Sequence, residues 1–436
     1  MPEVLAPAVV LVAGGAALTL LTLRWVPAQP APEVSAADVD RDFSAEEQAR
    51  ERAFRRAIRP WGIALVALDV LVPTVLVLAG VVSRVAGSAP GSWWSAVVLA
   101  TSVVLVVTRL ATLPCAVVVR RHTLDAGLAT GSWTLWTRDV VLAFLLGWLL
   151  ACVALVGWVA AVRAWPEAWW IVVALVAAVL VVVLSFLVPV VVEPMFARFV
   201  PMADGPLRTR LLELATRDGV VVGDVLVADA SRRSNALNAY VSGLGSTRRV
   251  VVHDTLLDRG RDDEVPAVVA HELGHVVAHD VRTGTVLGAG GAVLAVAAAT
   301  VMLAWEPLLD LVHVTTPSDP AVAGFLLVAG AWAGVVGAPV QSAVSRRVER
   351  RADQHCLTLT DDPATVAEMH RALAVTNLAS LRPPRLLHLW FGTHPTSPQR
   401  IAAARTWARS HGGSAVPDLV GPEEHDRHER GDEQRP

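Results

Sequence analysis

AVVAHELGHVVAHD, residues 267–280, is the stretch on which the reading of this chain turns. On a helix, positions four apart share a face, so His271 and His275 can reach one ion. Glu272 is rotated about 100° from His271, which suits a base acting on water better than a ligand. Zinc lowers the pKa of a water that it binds toward about 7, making hydroxide available at neutral pH. HExxH arises by chance, and the apolar lead-in, the absence of proline and the glycine at the fourth position of HELGH raise its value as a metal motif.

A catalytic zinc takes three protein ligands and leaves one position open. His279 is the nearest further histidine. However, 262–284 reads as one long helix running directly into an apolar span, and three ligands stacked over two turns of a straight helix cannot close around one ion. His279 is therefore expected to line a cavity or make a hydrogen bond. The better third ligand lies in SAVSRRVERRADQHC, residues 342–356, where Glu349 and Asp353 are again four apart. Glu349 can ligate, and Asp353 can accept the second ring N–H of a ligating histidine and fix its tautomer. The alternative is a solvated face on which Glu349 and Asp353 pair with Arg346, Arg350 or Arg351. Cys356, two turns from Glu349, is read as packing.

Around these motifs the chain is written for lipid. Its 436 residues are 54% hydrophobic and 18% charged, against about a quarter charged in a soluble protein. Seven segments have the roughly 20 apolar residues that a spanning helix needs: 4–23, 61–82, 93–112, 140–162, 169–192, 286–305 and 321–344. The first lacks a basic lead-in and is too long for a cleavable signal. There is no lysine, so arginine alone reports orientation. Connection 24–59 holds seven arginines and 113–139 holds three, while Arg84 and Arg163 stand alone in alternate connections. The positive-inside rule then puts the N-terminus outside and 193–285, with everything after 345, in the cytoplasm. A formal net charge of −3 gives no reason to expect a nucleic-acid partner. Three cysteines, Cys115, Cys152 and Cys356, match neither a disulfide framework nor a zinc knuckle.

Between spans one and two, PAQPAPEVSAADVD reads as a polar, proline-broken linker, followed by a helix with Ser44 as N-cap before Glu47. Region 193–285 reads as a soluble unit, with an amphipathic helix over PLRTRLLELATRDG and a strand in VVVGDVLVADA. Two further strands flank the turn Gly243–Leu244–Gly245–Ser246. The boundaries follow: a membrane domain over 1–192, a metallopeptidase domain over 193–410 that includes spans six and seven, and a charged, disordered tail over 411–436. Asp69 and Arg109 fall inside spans, where ionisable residues face a protein or water-filled interior and mark function, or simply pair with each other.

With these residues in place, the chain resembles the type I CAAX prenyl proteases, integral-membrane zinc endopeptidases related to the HtpX-like proteases. The resemblance runs from about Phe43 to Ala404. It is carried by LPCAVVVRRHTLDAGLATGSWTLWTRD, PMFARFVPMADGPLRTRLLELA, DASRRSNALNAYVSGLGSTRRVVVHDTLL, DDEVPAVVAHELGH, SRRVERRAD and GTHPTSPQRI. It implies a mainly α, polytopic fold: seven transmembrane helices ring a water-filled chamber, with an α+β gluzincin-type protease domain on the cytoplasmic side. It further implies one zinc per chain on His271, His275 and Glu349, with Glu272 as general base and Asp353 behind a ligating histidine. Asn238 of the NAY motif, with Ala239 and Tyr240, would meet the substrate. His394 would approach the cleaved bond, held by Arg400. A donor such as His394 can stabilise an oxyanion, and the strand 238–242 can pair with an extended peptide. Read without the resemblance, His394 can equally cap a turn and Asn238 can be a hairpin residue.

The chain departs from the family pattern at Ala197, where asparagine is common, at Val276, often aromatic, and at Gln399, usually glutamate. None of these removes a catalytic group. The implied partners are the bilayer and peptide or protein substrates, lipidated or membrane-associated. A quality-control protease of membrane proteins, without prenylated substrates, is the second reading. A channel or transporter and an inactive scaffold are the readings from other classes; no repeat relates the two halves as transporters often show.

Overall fold

The computed structural model describes residues 2–243, 245, 248–261, 263–412 and 415–420. Seven helices are long and apolar enough to cross a membrane, one for each expected span. The first runs over Val4–Trp25. Helix α1, Ala36–Asp42, follows it and is closed by a Ser35–Asp38 capping box. Span two belongs to α2, Ala45–Leu78, which starts at the expected Ser44–Glu47 capping box and runs unbroken through Pro60. Spans three to five are α3, Trp93–Asp125, α4, Trp133–Ala164, and α5, Trp169–Leu187.

The soluble region carries α6, Pro206–Arg217, and α7, Glu264–Val277, which holds the HELGH motif. Spans six and seven are α8, Asp280–Leu303, and α9, Val322–Thr360. After them come α10, Pro363–Thr376, α11, Arg385–Phe391, and α12, Ser397–His411.

The membrane helices pack in a closed order. Helix α2 lies on α3, α3 on α4, α4 on α5, α5 on α8 and α8 on α9, and α9 returns to α2; the first span packs outside this ring on α8. A filled bundle would bury the inward faces of its helices. Between 6% and 28% of each span's most apolar stretch is covered by protein, which leaves wide apolar faces for lipid, and the fold is that of a polytopic membrane protein. Asp69 and Arg109 lie on neighbouring helices α2 and α3 without a salt bridge between them within 4.0 Å.

A small sheet carries the soluble part. Its strands are β1, Phe199–Pro201, β2, Asp224–Ala228, β3, Ala239–Ser242, and β4, Arg249–His253, in the order β1-β2-β4-β3. Strand β2 is parallel to β4, and β3 is antiparallel to β4, with Ala239 opposite Val252. β3 is therefore an edge strand with one row of backbone groups open. Val225, Val250 and Val252 pack on Leu273 of α7, Leu357 of α9 and Ile401 of α12 in one continuous core. Residues at the expected turn, Leu244 and Ser246, lie outside the described residues.

Three expectations need correction. The stretch between spans one and two is no free linker: Val39 and Phe43 are 1% exposed and belong to the protease core. Arg405 grips Asp42 through two hydrogen bonds of 2.5 and 2.7 Å, and Arg371 holds Glu47 at 2.7 Å. The segment ahead of span two is thus built into the catalytic unit. Second, α7 does not run straight into span six. His279 adopts φ 56°, the left-handed region, which ends α7 and starts α8 at Asp280. Third, packing continues past residue 411: Val416 and Val420 are buried, and the Val420 amide donates to the Arg41 carbonyl. Residues 421–436 of the expected tail lie outside the described residues.

Candidate metal centre

Helix α7 presents His271, Glu272 and His275 from its buried side, and α9 brings Glu349 against them. His271 Nε2 lies 3.4 Å from Glu349 Oε2, and His275 Nε2 lies 3.7 Å from Glu349 Oε1. One donor atom from each of the three residues falls within 4.8 Å of the others, so the group can hold a metal ion. Donors about 2.0–2.1 Å from a tetrahedral zinc stand roughly 3.3 Å apart, so these separations fit such an ion with little closure.

The outer nitrogens face carboxylates, and the inner ones face Glu349. His271 Nδ1 is 2.9 Å from Asp353 Oδ1, in reach but poorly aligned. His275 Nδ1 is 2.9 Å from Asp280 Oδ2. Each carboxylate is placed to favour the Nδ1 proton of its imidazole, so that on metal binding Nε2 is the nitrogen that gives up its proton and ligates. Each carboxylate is in turn clamped by an arginine: Arg400 Nε is 3.2 Å from Asp353 Oδ2, and Arg351 hydrogen-bonds Asp280. Arg351 also donates at 2.8 Å to the carbonyl of Trp25, where the first span ends. His370, 2% exposed, places Nε2 3.5 Å from Asp353 Oδ1.

Gly274 lets the two helices meet. A Cβ there would sit 3.1 Å from Ala352 Cα and 3.1 Å from His355 Cβ. The glycine of HELGH thus sets the approach of α7 to the helix that carries Glu349.

Charge follows the geometry. Burial pushes the His271 imidazole down, but Asp353 and Glu349 outweigh it and raise it to about 9. Burial raises the Glu272 carboxyl above the ordinary glutamate range, against the pull of His271 and His275. A carboxyl so poised can take up a proton and return it.

A cavity of about 640 Å³ opens over the centre and is lined by Asn238, His271, Glu272, His275, Glu349, His394 and Arg400, among others. His394 Nε2 lies 3.4 Å from Glu349 Oε1, and its side chain is 60% exposed. Arg400 is not the support for His394 that was expected. It hydrogen-bonds Glu349 and reaches Asp353, while His394 Nδ1 meets Thr393 Oγ1 at 2.8 Å.

Asn238 stands just ahead of β3, and its carbonyl accepts from the His253 amide at 3.1 Å. Ala239 is 1% exposed in the core. The Tyr240 hydroxyl donates to Glu193 at 3.4 Å on the other face of the sheet. Neither Ala239 nor Tyr240 lines the cavity with its side chain; only their backbone can serve a substrate.

Sequence reasoning missed Asp280, His370 and Asn377. Asn377 accepts from the Leu237 amide at 3.0 Å and donates to its carbonyl at 3.3 Å, which steadies the approach to β3. The break at His279 had a partial signal in the acidic residue that follows it, since Asp280 sits at the N-terminus of α8, where negative charge is favoured. His370 and Asn377 had none.

Comparison with known proteins agrees with this geometry. Residues 201–408 match the model of Peptidase family M48. The chain is 29% identical over 316 residues to the Uncharacterized metalloprotease YhfN of Bacillus subtilis (strain 168), covering 69% of this chain and 71% of that one. It is 43% identical over 90 residues to CAAX prenyl protease 1 of Saccharomyces cerevisiae, about 20% of either chain. The crystal structure of S. mikatae Ste24p superposes with a TM-score of 0.76 at 20% identity, over 93% of this chain and 99% of that one, and so shares the fold. Residues 201–408 thus match Peptidase family M48, and with the His271–His275–Glu349 group in place the protein is a multi-pass membrane metalloprotease similar to the CAAX prenyl proteases.

Proposed function

We propose that the metal is zinc, one per chain, and that the protein is an endopeptidase working at the cytoplasmic face. Its substrates are peptide segments of lipidated or membrane-associated proteins. One observation carries the reading: both histidines are held at Nδ1 by carboxylates while their Nε2 atoms converge on Glu349. Zinc bound there would act as a Lewis acid toward water and the peptide carbonyl.

The chain's own groups do the rest. Glu272 takes the proton of the attacking water and returns it to the leaving amine. His394 donates a hydrogen bond to the oxygen that becomes negative as the carbonyl turns tetrahedral. The open edge of β3, entered at Asn238, pairs with an extended substrate through the backbone of Ala239 and Tyr240. Asp353 and Arg400 act as positioning residues, holding His271 and Glu349. In domain terms, 193–410 forms the peptidase unit with spans six and seven, on a membrane domain over 1–192. The arginine count in 24–59 and 113–139 supports a cytoplasmic centre with the N-terminus outside.

Metal analysis of the purified protein, with cleavage of a casein-type reporter with and without chelator, tests the reading. Glu272→Gln is expected to retain zinc and lose cleavage by at least about a hundredfold, in line with the loss of a general base. Retained turnover in that variant would refute the mechanism. Full zinc content in Glu349→Ala would refute the third ligand.

A further inference from the structure

The catalytic cavity has a second end. Away from the metal centre it is lined by Arg55, Arg59 and Pro384. The same three residues line an adjoining cavity of about 250 Å³, whose wall also includes Arg52, Arg56, Arg382 and Glu51. Arg52, Arg55, Arg56 and Arg59 follow the spacing i, i+3, i+4, i+7, so α2 gathers them on one face. Like charges so placed destabilise a helix unless something neutralises them.

One buried carboxylate on this wall, Glu51, offsets part of the charge through its field on Arg55. Among the described residues, none of the four has a carboxylate within 4.0 Å. Arg52 donates to the neutral side chain of Gln48 at 3.2 Å, and Arg55 to the Leu378 carbonyl at 2.8 Å. Arg382, on the facing wall, meets Asp40 at 3.3 Å. A guanidinium has five N–H donors, so most of this capacity is open.

We propose that Arg52, Arg55, Arg56, Arg59 and Arg382 form an anion subsite of the catalytic cavity. It takes a carboxylate of the peptide substrate, either an acidic side chain or the C-terminus. The inference rests on the peptidase reading for its ligand. Arg55 and Arg59 line the cavity of the metal centre itself, which favours a peptide over the phosphate of a lipid headgroup. A guanidinium pairs with a planar carboxylate through two parallel hydrogen bonds, and Arg55 and Arg59 line the same cavity as Glu272.

Binding to full-length, zinc-loaded Glu272→Gln tests the subsite without relying on turnover. Fluorescent peptides are compared in matched pairs: glutamate against glutamine at one position, and free C-terminus against amide. One member of a pair is expected to bind about tenfold tighter through its carboxylate, the scale of a charge-assisted pair, with the advantage shrinking as salt rises. The pair that shows the advantage identifies which carboxylate is read. Arg59→Glu, at an exposed position, is expected to abolish or invert the advantage, and Arg59→Lys to keep part of it; zinc content of each variant reports that the fold is intact. Equal binding within both pairs, or an advantage unchanged by Arg59→Glu, would overturn the proposal. So would equal binding together with tightening only in nanodiscs that contain phosphatidylglycerol, which would assign the arginines to headgroups. Loss of all casein cleavage by the wild type, with the carboxylate advantage intact, would count against the peptidase reading and leave the subsite standing.

Discussion

Gly274→Ala puts the assembly of the centre to a direct test, because two effects of known size oppose each other there. In a helix interior, alanine is favoured over glycine by about 1 kcal/mol. Against that, the new Cβ would lie 3.1 Å from Ala352 Cα and 3.3 Å from the Ala352 carbonyl oxygen, both backbone atoms of α9. Ordinary contacts begin near 3.4 Å, so α7 and α9 must part by about 0.3 Å or more. Overpacking of this kind costs about 1–3 kcal/mol, which leaves the variant destabilised by up to about 2 kcal/mol.

The larger effect falls on the metal. Glu349 lies one turn before Ala352 on α9, and His271 one turn before Gly274 on α7. Metal–ligand bonds tolerate about ±0.2 Å, so the parting strains the bond from Glu349 against those from the two histidines. Zinc affinity, read by competition with a chromophoric chelator, is expected to fall about 10–100-fold, the scale seen when ligand support is lost. Gly291→Ala is the control: it lies in α8 with nothing within 4 Å of its new Cβ, and only the favourable helix effect applies. If Gly274→Ala binds zinc as tightly as the wild type and gains stability as the control does, the close approach does not set the geometry and the reasoning fails.

Two further outcomes follow from the charges around the centre. Asp280→Asn removes the anion that holds His275 and leaves Arg351 unpaired, so zinc affinity should drop about 10–100-fold while the helices stay folded; unchanged affinity would make the 2.9 Å contact incidental. His271, held near 9 without metal, must lose its proton to ligate. Zinc binding at pH 7 should therefore release about one proton, with affinity rising about tenfold per pH unit below that value and flattening above it; calorimetry in buffers of different ionisation enthalpy reads the proton count.

Much of this centre was legible because it depends on helical spacing alone. His271 and His275 share a face by virtue of being four apart, as do Glu349 and Asp353, and each pair keeps that relation wherever the helix goes. The seven spans were legible because lipid imposes long apolar runs. What escaped notice depended on where helices turn and meet. A histidine in the left-handed region looks, in sequence, like any histidine inside a helix, so the break at His279 was read as continuous. With α7 and α8 taken as one straight rod, Asp280 would point well away from His275, and its role could not be seen. The packed segment 36–43 was hidden for a related reason: two apolar residues, Val39 and Phe43, among charges give no period, and their burial depends on Arg371 and Arg405, more than 300 residues away in sequence.

These long-range contacts bear on how the centre is assembled. His271 and His275 belong to α7, which leads into span six; Glu349 and Asp353 close span seven; and the arginine that clamps Asp280 is tied to the end of the first span at Trp25. No segment of the soluble region holds a complete ligand set by itself. Metal binding energy can therefore be realised only once the sixth and seventh spans have come together, since it is worth something only to the state that brings all three ligands within reach. A protease so divided has no competent site until the helix that carries Glu349 has packed on the helix that carries His271 and His275.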